Sequence, residues 1–210
     1  MLEEKLTSGL TEIGLPHDEE TVASLMRYAA LLKKWGKVYN LTALLSDEDI
    51  LTHHLLDSAT FVPYVKQVVP AASTVLDVGS GGGLPAIPLA LFRPDLRVTA
   101  VDAVAKKTAF LTQVGIELKL RNFSARHSRV EKLSGVYDVI TSRAFSSLKD
   151  FTDWTAHLLS AEGFWLAMKG VYPEEEIAAL PDTVKVVEVL TMTVPQLDEE
   201  RHLVVMQKRS

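Results

Sequence analysis

A short apolar and β-branched run, Thr74-Val75-Leu76-Asp77-Val78, passes directly into Gly79-Ser80-Gly81-Gly82-Gly83. A run of this length and composition reads as a buried strand. Glycines immediately behind a strand allow positive-φ turns and a close approach of backbone to a ligand. Pro85 and Pro88 come next, both tolerable where a helix starts, because the first helical N–H groups lack intrahelical partners. The junction reads as strand, loop and helix.

The same rhythm continues downstream. Strands are expected at residues 97–101, 123–127, 137–142 and 163–168, and helices at 106–118, 151–159 and 174–180. Two closing strands, 184–194 and 202–207, form an antiparallel hairpin. Upstream, Val22, Leu25, Met26, Ala29, Leu32 and Trp35 recur at three- and four-residue steps, which predicts a helix from Asp18 to about Leu45. Ser46 and Asp47 can cap a second helix with Ile50, Leu51, His54, Leu55 and Ser58 on one stripe. The expected architecture is α/β and Rossmann-like: a mostly parallel seven-stranded sheet over residues 71–210, with a helical extension over 1–70.

Composition narrows the function. The chain has 210 residues, 47% hydrophobic and 23% charged, ordinary for a globular protein with a sizeable core. Its N-terminus, MLEEKLTSGLTEIGL, reads as neither a signal peptide nor a presequence. No apolar stretch approaches the roughly 20 residues needed to cross a bilayer, so a soluble, cytoplasmic chain is expected. There is no cysteine, which removes disulfides, thiolate-bound metal and any cysteine nucleophile. A formal charge of -5 disfavours nonspecific coating of nucleic acid and leaves room for a local basic face.

Asp102 closes the second expected strand, where an acid can accept hydrogen bonds from both ribose hydroxyls of an adenosine-containing cofactor. A dinucleotide competes, since Gly81-x-Gly83-x-x-Ala86 matches an alanine variant of that fingerprint. Its register is displaced: Gly79 holds the first position, and Leu84 falls where the third glycine belongs. Asp77, an acid ahead of the loop, suits a cofactor with an amino-acid charge better than a pyrophosphate. Taken singly, the glycines could be only a tight turn and Asp102 only a helix cap. Their combination, with the helix-starting proline, favours a methyl donor, S-adenosylmethionine, held by Asp77, Gly79, Gly81, Gly83 and Asp102.

Several further motifs stand in order: LDVGSGGGLPAIPLA, VDAVAKKTAFL, SRVEKL, SRAFSSL, LAMKG and ERHLVV, preceded by WGKVYNLTAL and HHLLDS. Together they closely resemble the bacterial 16S rRNA guanine-N7 methyltransferase family, also called glucose-inhibited division protein B, over about Trp35 to Val205. The resemblance implies a class I S-adenosylmethionine-dependent methyltransferase fold and methylation of guanine 527 in 16S rRNA. It further implies that Gly79 and Leu84 contact the donor, that Asp102 lies near its ribose, and that Val130 and Glu131 flank its adenine. Arg143 matches the arginine at the mouth of the donor site.

The chemistry agrees with that target. Without cysteine the covalent route to pyrimidine C5 is closed, and Ser142-Arg143-Ala144-Phe145 lacks the prolines of loops that orient exocyclic amines. Guanine N7 offers an unprotonated lone pair, so alignment suffices and no general base is expected. Phe145 is a stacking candidate; Arg143, Lys169 and Arg201 are candidates for phosphate or guanine O6. Lys33, Lys34 and Lys37 lie on a helix with no acid between Glu20 and Asp47, either an RNA-docking strip or a solvated face. Trp35 and Tyr39 read as core. His53, His54, His127 and His202 read as structural, the adjacent pair His53 and His54 pointing to different helix faces; no metal is expected. The expected partner of a monomeric enzyme is 16S rRNA, naked or in the small subunit. A noncatalytic assembly factor and a small-molecule methyltransferase are the alternatives.

Overall fold

The computed structural model describes residues 1–209. Two helices lead, α1 (Leu2–Ile13) and α2 (Glu19–Tyr39), followed by one continuous helical rod in three windings: α3 (Asp47–Asp49), a π-helical segment (Ile50–Leu56) and α4 (Asp57–Val68). Helix α2 is capped by the Asp18 side chain accepting the Thr21 N–H at 2.8 Å. It ends at Tyr39 rather than near Leu45. Asn40 stops it in the left-handed region, at φ 50°, a conformation that asparagine tolerates better than most residues.

The strands are β1 (Thr74–Val78), β2 (Arg97–Asp102), β3 (Phe123–His127), β4 (Tyr137–Arg143), β5 (Leu159–Lys169), β6 (Val184–Thr191) and β7 (His202–Lys208). They form one sheet in the order β3-β2-β1-β4-β5-β7-β6. Strands β1 to β5 are parallel, and β7 runs antiparallel to both β5 and β6. The seven-stranded α/β expectation and the closing antiparallel pair hold. Helices α5 (Ala86–Phe92), α6 (Ala105–Glu117), α7 (Leu148–Thr155) and α8 (Glu174–Ala178) complete the chain. Pro85 caps α5 and Pro88 is its third residue, so neither removes a helical hydrogen bond. Helix α7 begins three residues ahead of Phe151, because the Ser147 hydroxyl accepts the Asp150 N–H at 3.1 Å.

Parallel strands flanked on both sides bury both faces, and alternate residues of β1 serve different cores. Val75 packs with α1, α2, α4, α5 and α6, whereas Leu76 and Val78 pack with α7. The helical layer of residues 1–70 therefore shares one continuous core with the first face of the sheet. Among the described residues no helix is long and apolar enough to cross a membrane.

Strand order reverses about β1, with β2 on one side and β4 on the other. At such a switch point the loops leaving the two sides diverge and open a crevice beyond the carboxyl ends of the strands. Helix α2 reaches into this crevice: fully buried Tyr28 donates its hydroxyl hydrogen to the Gly82 carbonyl at 2.6 Å. Tyr28→Phe removes the donor and leaves that carbonyl buried without it, so unfolding stability measured by urea titration should fall by about 1–3 kcal/mol.

Candidate active site

The first loop is shaped by close neighbours. Gly79, Gly81 and Gly83 take φ values of 66°, 55° and 90°, which disfavour any residue with a Cβ. At Gly79 a Cβ would also collide with the Phe145 ring, and at Gly83 it would lie 2.7 Å from both Ile87 and Leu111. The loop is pinned to β2: the Gly79 and Ser80 N–H groups donate to the Val101 carbonyl at 2.9 and 3.2 Å. The Gly81 N–H donates to Asp102 Oδ2 at 3.0 Å, and the Val104 N–H to Asp102 Oδ1 at 2.9 Å. A carboxylate has about four lone-pair positions, so Asp102 retains acceptor capacity on both oxygens.

Asp77 lies behind the loop, fully buried. Its Oδ2 accepts the Ser80 hydroxyl at 2.6 Å, and among the described residues no donor meets Oδ1. Burial pushes the carboxyl up to about 7, opposed by the Ser80 hydroxyl and by the charge of Arg143. The Ala86 backbone N–H also favours the charged form, and Asp77, buried behind the loop, acts on the amino-acid end of a cofactor through its charge and by holding Ser80 in the loop. Glycines open to a backbone approach and Asp102 with spare acceptor sites fit the nucleoside end of the same molecule.

Between this loop and the helical layer lies a cavity of about 560 Å³, within the size range of small-molecule sites. Leu32, Leu41 and Leu84 give it apolar surface, and Arg143, Lys169 and Arg201 line the opposite wall. Each of these three cations is anchored. Arg143 Nη1 donates to the His53 carbonyl at 2.7 Å and to Asp57 Oδ2 at 2.9 Å. Arg201 donates through Nε to Asp57 Oδ1 at 3.1 Å and pairs through Nη2 with Glu199 at 3.0 Å. Lys169 donates to Glu176 at 2.8 Å and to the Ser146 carbonyl at 3.1 Å.

His54 completes the bracket around Arg143. Its Nε2 lies 2.9 Å from the Thr42 hydroxyl and 3.1 Å from the Leu44 carbonyl, and a proton on Nε2 serves the carbonyl, which only accepts. The bare Nδ1 then faces Arg143 Nη2 at 3.5 Å, a weak contact by distance. Burial, with the charge of Arg143, lowers the His54 pKa and keeps the ring neutral.

Of the residues singled out in the sequence, Gly79, Gly81, Leu84, Arg143, Lys169 and Arg201 meet on the cavity. Asp77 and Gly83 stand behind the loop, and Asp102 reaches it through Gly81. Val130 and Glu131 lie away from the cavity, in a 3-10 turn at Val130–Lys132, Val130 buried in the second core and Glu131 exposed. Phe145 is not presented to the cavity as a stacking surface: it packs against Gly79 and edge-on to Trp154 at 5.9 Å. Between Arg143 and Phe145, Ala144, which also lines the cavity, takes a left-handed turn at φ 50°.

The lysine strip is also altered. Lys33 donates to Asp47 at 2.6 Å, because the loop after Asn40 folds that acid back beside α2. Trp35 and Tyr39 stack at 5.2 Å and are only partly buried, with Lys34 and Lys106 each 5.7 Å from one of the rings. His53 and His54 both line the cavity from the π-helical winding, with their rings turned to different partners, His53 to Glu199 and His54 to Thr42 and Leu44. His202 donates through Nδ1 to the Gly170 carbonyl at 2.7 Å, and His127 bonds the Ala103 carbonyl. Sequence reasoning missed Tyr28, Asp57 and Lys107. Asp57 stood inside HHLLDS, but its partners are 86 and 144 residues away, beyond any local spacing. Lys107, lining the cavity from the first turn of α6, had as its only signal a pair of lysines where helices usually place acids.

A family model described as rRNA small subunit methyltransferase G matches residues 21–204. Ribosomal RNA small subunit methyltransferase G of Neisseria gonorrhoeae is 52% identical over 207 residues, 98% of each chain. Among solved structures, TrmN from Thermus thermophilus aligns over 73% of this chain and 52% of its own, with a TM-score of 0.57 at 17% identity. Coclaurine N-methyltransferase, bound to N-methylheliamine and SAH, aligns over 90% and 72% with a TM-score of 0.57 at 15% identity. These two likenesses establish the class I methyltransferase fold.

Buried Asp77 makes a pH-dependent contribution to stability. Its folded-state pKa, about 7 against an ordinary 3.8, is raised, so the folded chain holds this proton more tightly and the group disfavours folding increasingly as pH rises between those values. Asp77→Asn stays neutral throughout. Its thermal midpoint relative to the wild type, without donor, should rise from about pH 4 to about pH 7 and level off above; a difference independent of pH would contradict the shift.

Proposed function

Given that the chain belongs to the rRNA small subunit methyltransferase G family and is an S-adenosylmethionine-dependent rRNA methyltransferase, we propose that its cavity holds guanine 527 of 16S rRNA beside the donor and directs transfer to N7. The observation that carries this reading is the juxtaposition, at one strand-order reversal, of the Asp102-bound glycine loop and a cavity wall bearing Arg143, Lys169 and Arg201. When bound, S-adenosylmethionine supplies an electrophilic sulfonium methyl. Gly79, Gly81 and Leu84 lie against its amino-acid end, Asp77 and Gly83 support that loop from behind, Asp102 takes its ribose hydroxyls, and its adenine extends beyond the cavity towards Val130 and Glu131. The enzyme acts as a monomer in the cytoplasm, with residues 1–70 as an extension of the methyltransferase domain 71–210.

N7 brings its own lone pair, so the residues around it need only orient the base and exclude water. Methylation leaves the purine cationic, and a wall of bare positive charge would oppose it. Here each wall cation is matched by a carboxylate: Asp57 and Glu199 for the two arginines, Glu176 for Lys169. The wall offers oriented N–H donors with little net charge, a preorganised polar surface of the kind that favours charge redistribution.

Labelled methyl transfer to small subunits lacking the modification, to naked 16S rRNA and to small amines and phenols, followed by nucleoside mass analysis, tests the reading. The expected product is 7-methylguanosine from an RNA substrate; label in a different nucleoside or only in a small molecule overturns it. Arg143→Ala should lose most of the transfer while keeping its fold by circular dichroism, and near-normal turnover would remove Arg143 from the site.

The strip on α2 extends to Lys106 of α6, forming a basic and aromatic ridge next to Lys107 at the cavity rim. Lys34, Lys37 and Lys106, with the ion-paired Lys33 contributing less, hold RNA phosphates here. Changing those three to Gln should weaken RNA binding and flatten the plot of log affinity against log salt by about 0.7–0.9 for each phosphate no longer neutralised; an unchanged slope assigns the ridge to solvent.

A further inference from the structure

We propose that Asp57 is a positioning residue for methyl transfer: its buried carboxylate, held between Arg143 and Arg201, fixes both guanidiniums on the cavity wall and makes the N-terminal helical layer part of the reacting site. The inference rests on the guanine-N7 reading above. Asp57 is the first residue of α4, directly after the π-helical segment, and its side chain is 5% exposed. One oxygen accepts Arg143 from the end of β4 and the other accepts Arg201 from the segment ahead of β7. The two guanidiniums are 21% and 15% exposed. Two cations so near one another repel, and a single carboxylate bonded to both is what permits them to share one wall.

The same helical stretch supplies the other anchors of Arg143, the His53 carbonyl and the Nδ1 of neutral His54. A shift of this stretch therefore moves Arg143 with it. Asp57 bonds a different guanidinium through each oxygen, so it is suited to hold geometry. If these ion pairs only stabilised the fold, apolar replacements could do as well; instead all three groups line the cavity.

Asp57→Asn keeps the shape and removes the charge. Transfer to undermethylated small subunits should fall about 100-fold in kcat, the scale of an ångström-level misplacement of reacting groups. The Kd for S-adenosylmethionine by calorimetry should change far less, since the glycine loop and Asp102 are untouched, while the thermal midpoint falls because two largely buried guanidiniums lose their shared carboxylate. A merely structural role would lower donor binding and turnover together. Arg201→Lys combined with Asp57→Asn should lose little more than the worse single variant, because the two act as one unit.

Wild-type turnover in Asp57→Asn, or losses that multiply in the double variant, overturns the inference. Should Asp57→Asn fail to fold, Asp57→Glu retains the charge and displaces it by one methylene; it should still lose kcat with donor affinity intact, and full activity from it is equally fatal. Arg201 Nε–H exchange, followed by nitrogen-15 NMR, needs no methyl acceptor and should be slow in the wild type and fast in Asp57→Asn. If wild type transfers nothing to RNA, the guanine reading falls and this exchange still decides the bracket: equal rates in both proteins overturn it.

Discussion

Strand pairing at β1 is the constraint on which the site depends. In the parallel ladder Val78 is level with Val101 on one side and with Ser142 on the other. The next residues along the three strands are Gly79, Asp102 and Arg143, so backbone register alone delivers a flexible loop, an acid and a guanidinium to one edge. Because connections leave that edge to opposite sides, nothing in the sheet fills the gap between them. The helical layer closes it with Leu32, Leu41 and the stretch from His53 to Asp57. The cavity is a seam between two parts of one core, and it exists only while Tyr28 and Asp57 hold the two parts in register.

What was legible in the sequence followed from local rules. The Thr74–Gly83 junction encodes its own strand and loop because apolar β-branched residues and glycines have strong, short-range conformational preferences, and apolar runs in β4, β5 and β7 encode a sheet buried on both sides. Gly79, Leu84 and Arg143 could be placed because motif position maps directly to strand ends. Asp57 could not, since a carboxylate in an amphipathic helix looks alike whether its partners are water or two arginines more than eighty residues away. Phe145 lies against Gly79 and edge-on to Trp154 after a left-handed residue at Ala144, a conformation for which alanine carries no signal. The pairing of Lys33 with Asp47 across the turn after α2 was not legible either, since helical periodicity says nothing of the loop that brings the two together.

Charge on the cavity wall is arranged in a way that net charge conceals. Arginine and lysine side chains near a nucleic acid are ordinarily read as phosphate clamps, for which unpaired charge is an advantage. Here Arg143, Lys169 and Arg201 are each bonded to a carboxylate, and each is also bonded to a backbone carbonyl that fixes its direction. The lysines of the ridge instead lie outside, along α2 and at the start of α6. This separates solvent-facing charge at the ridge from oriented, charge-compensated donors at the wall.

The division also bears on catalysis. A reaction at an unprotonated ring nitrogen gains nothing from a group poised to move a proton, and at the wall His54 is held neutral while Asp57 bonds a guanidinium through each oxygen. What such a reaction requires is a fixed approach angle and surroundings that accept a positive charge spreading over a purine. A carboxylate shared by two guanidiniums meets both needs at once, since it compensates their charge and, by bonding each through a different oxygen, removes their freedom to turn. The rigidity of the helical stretch that carries Asp57 thereby becomes a property of the site, and the N-terminal layer acts as the back half of the active-site wall.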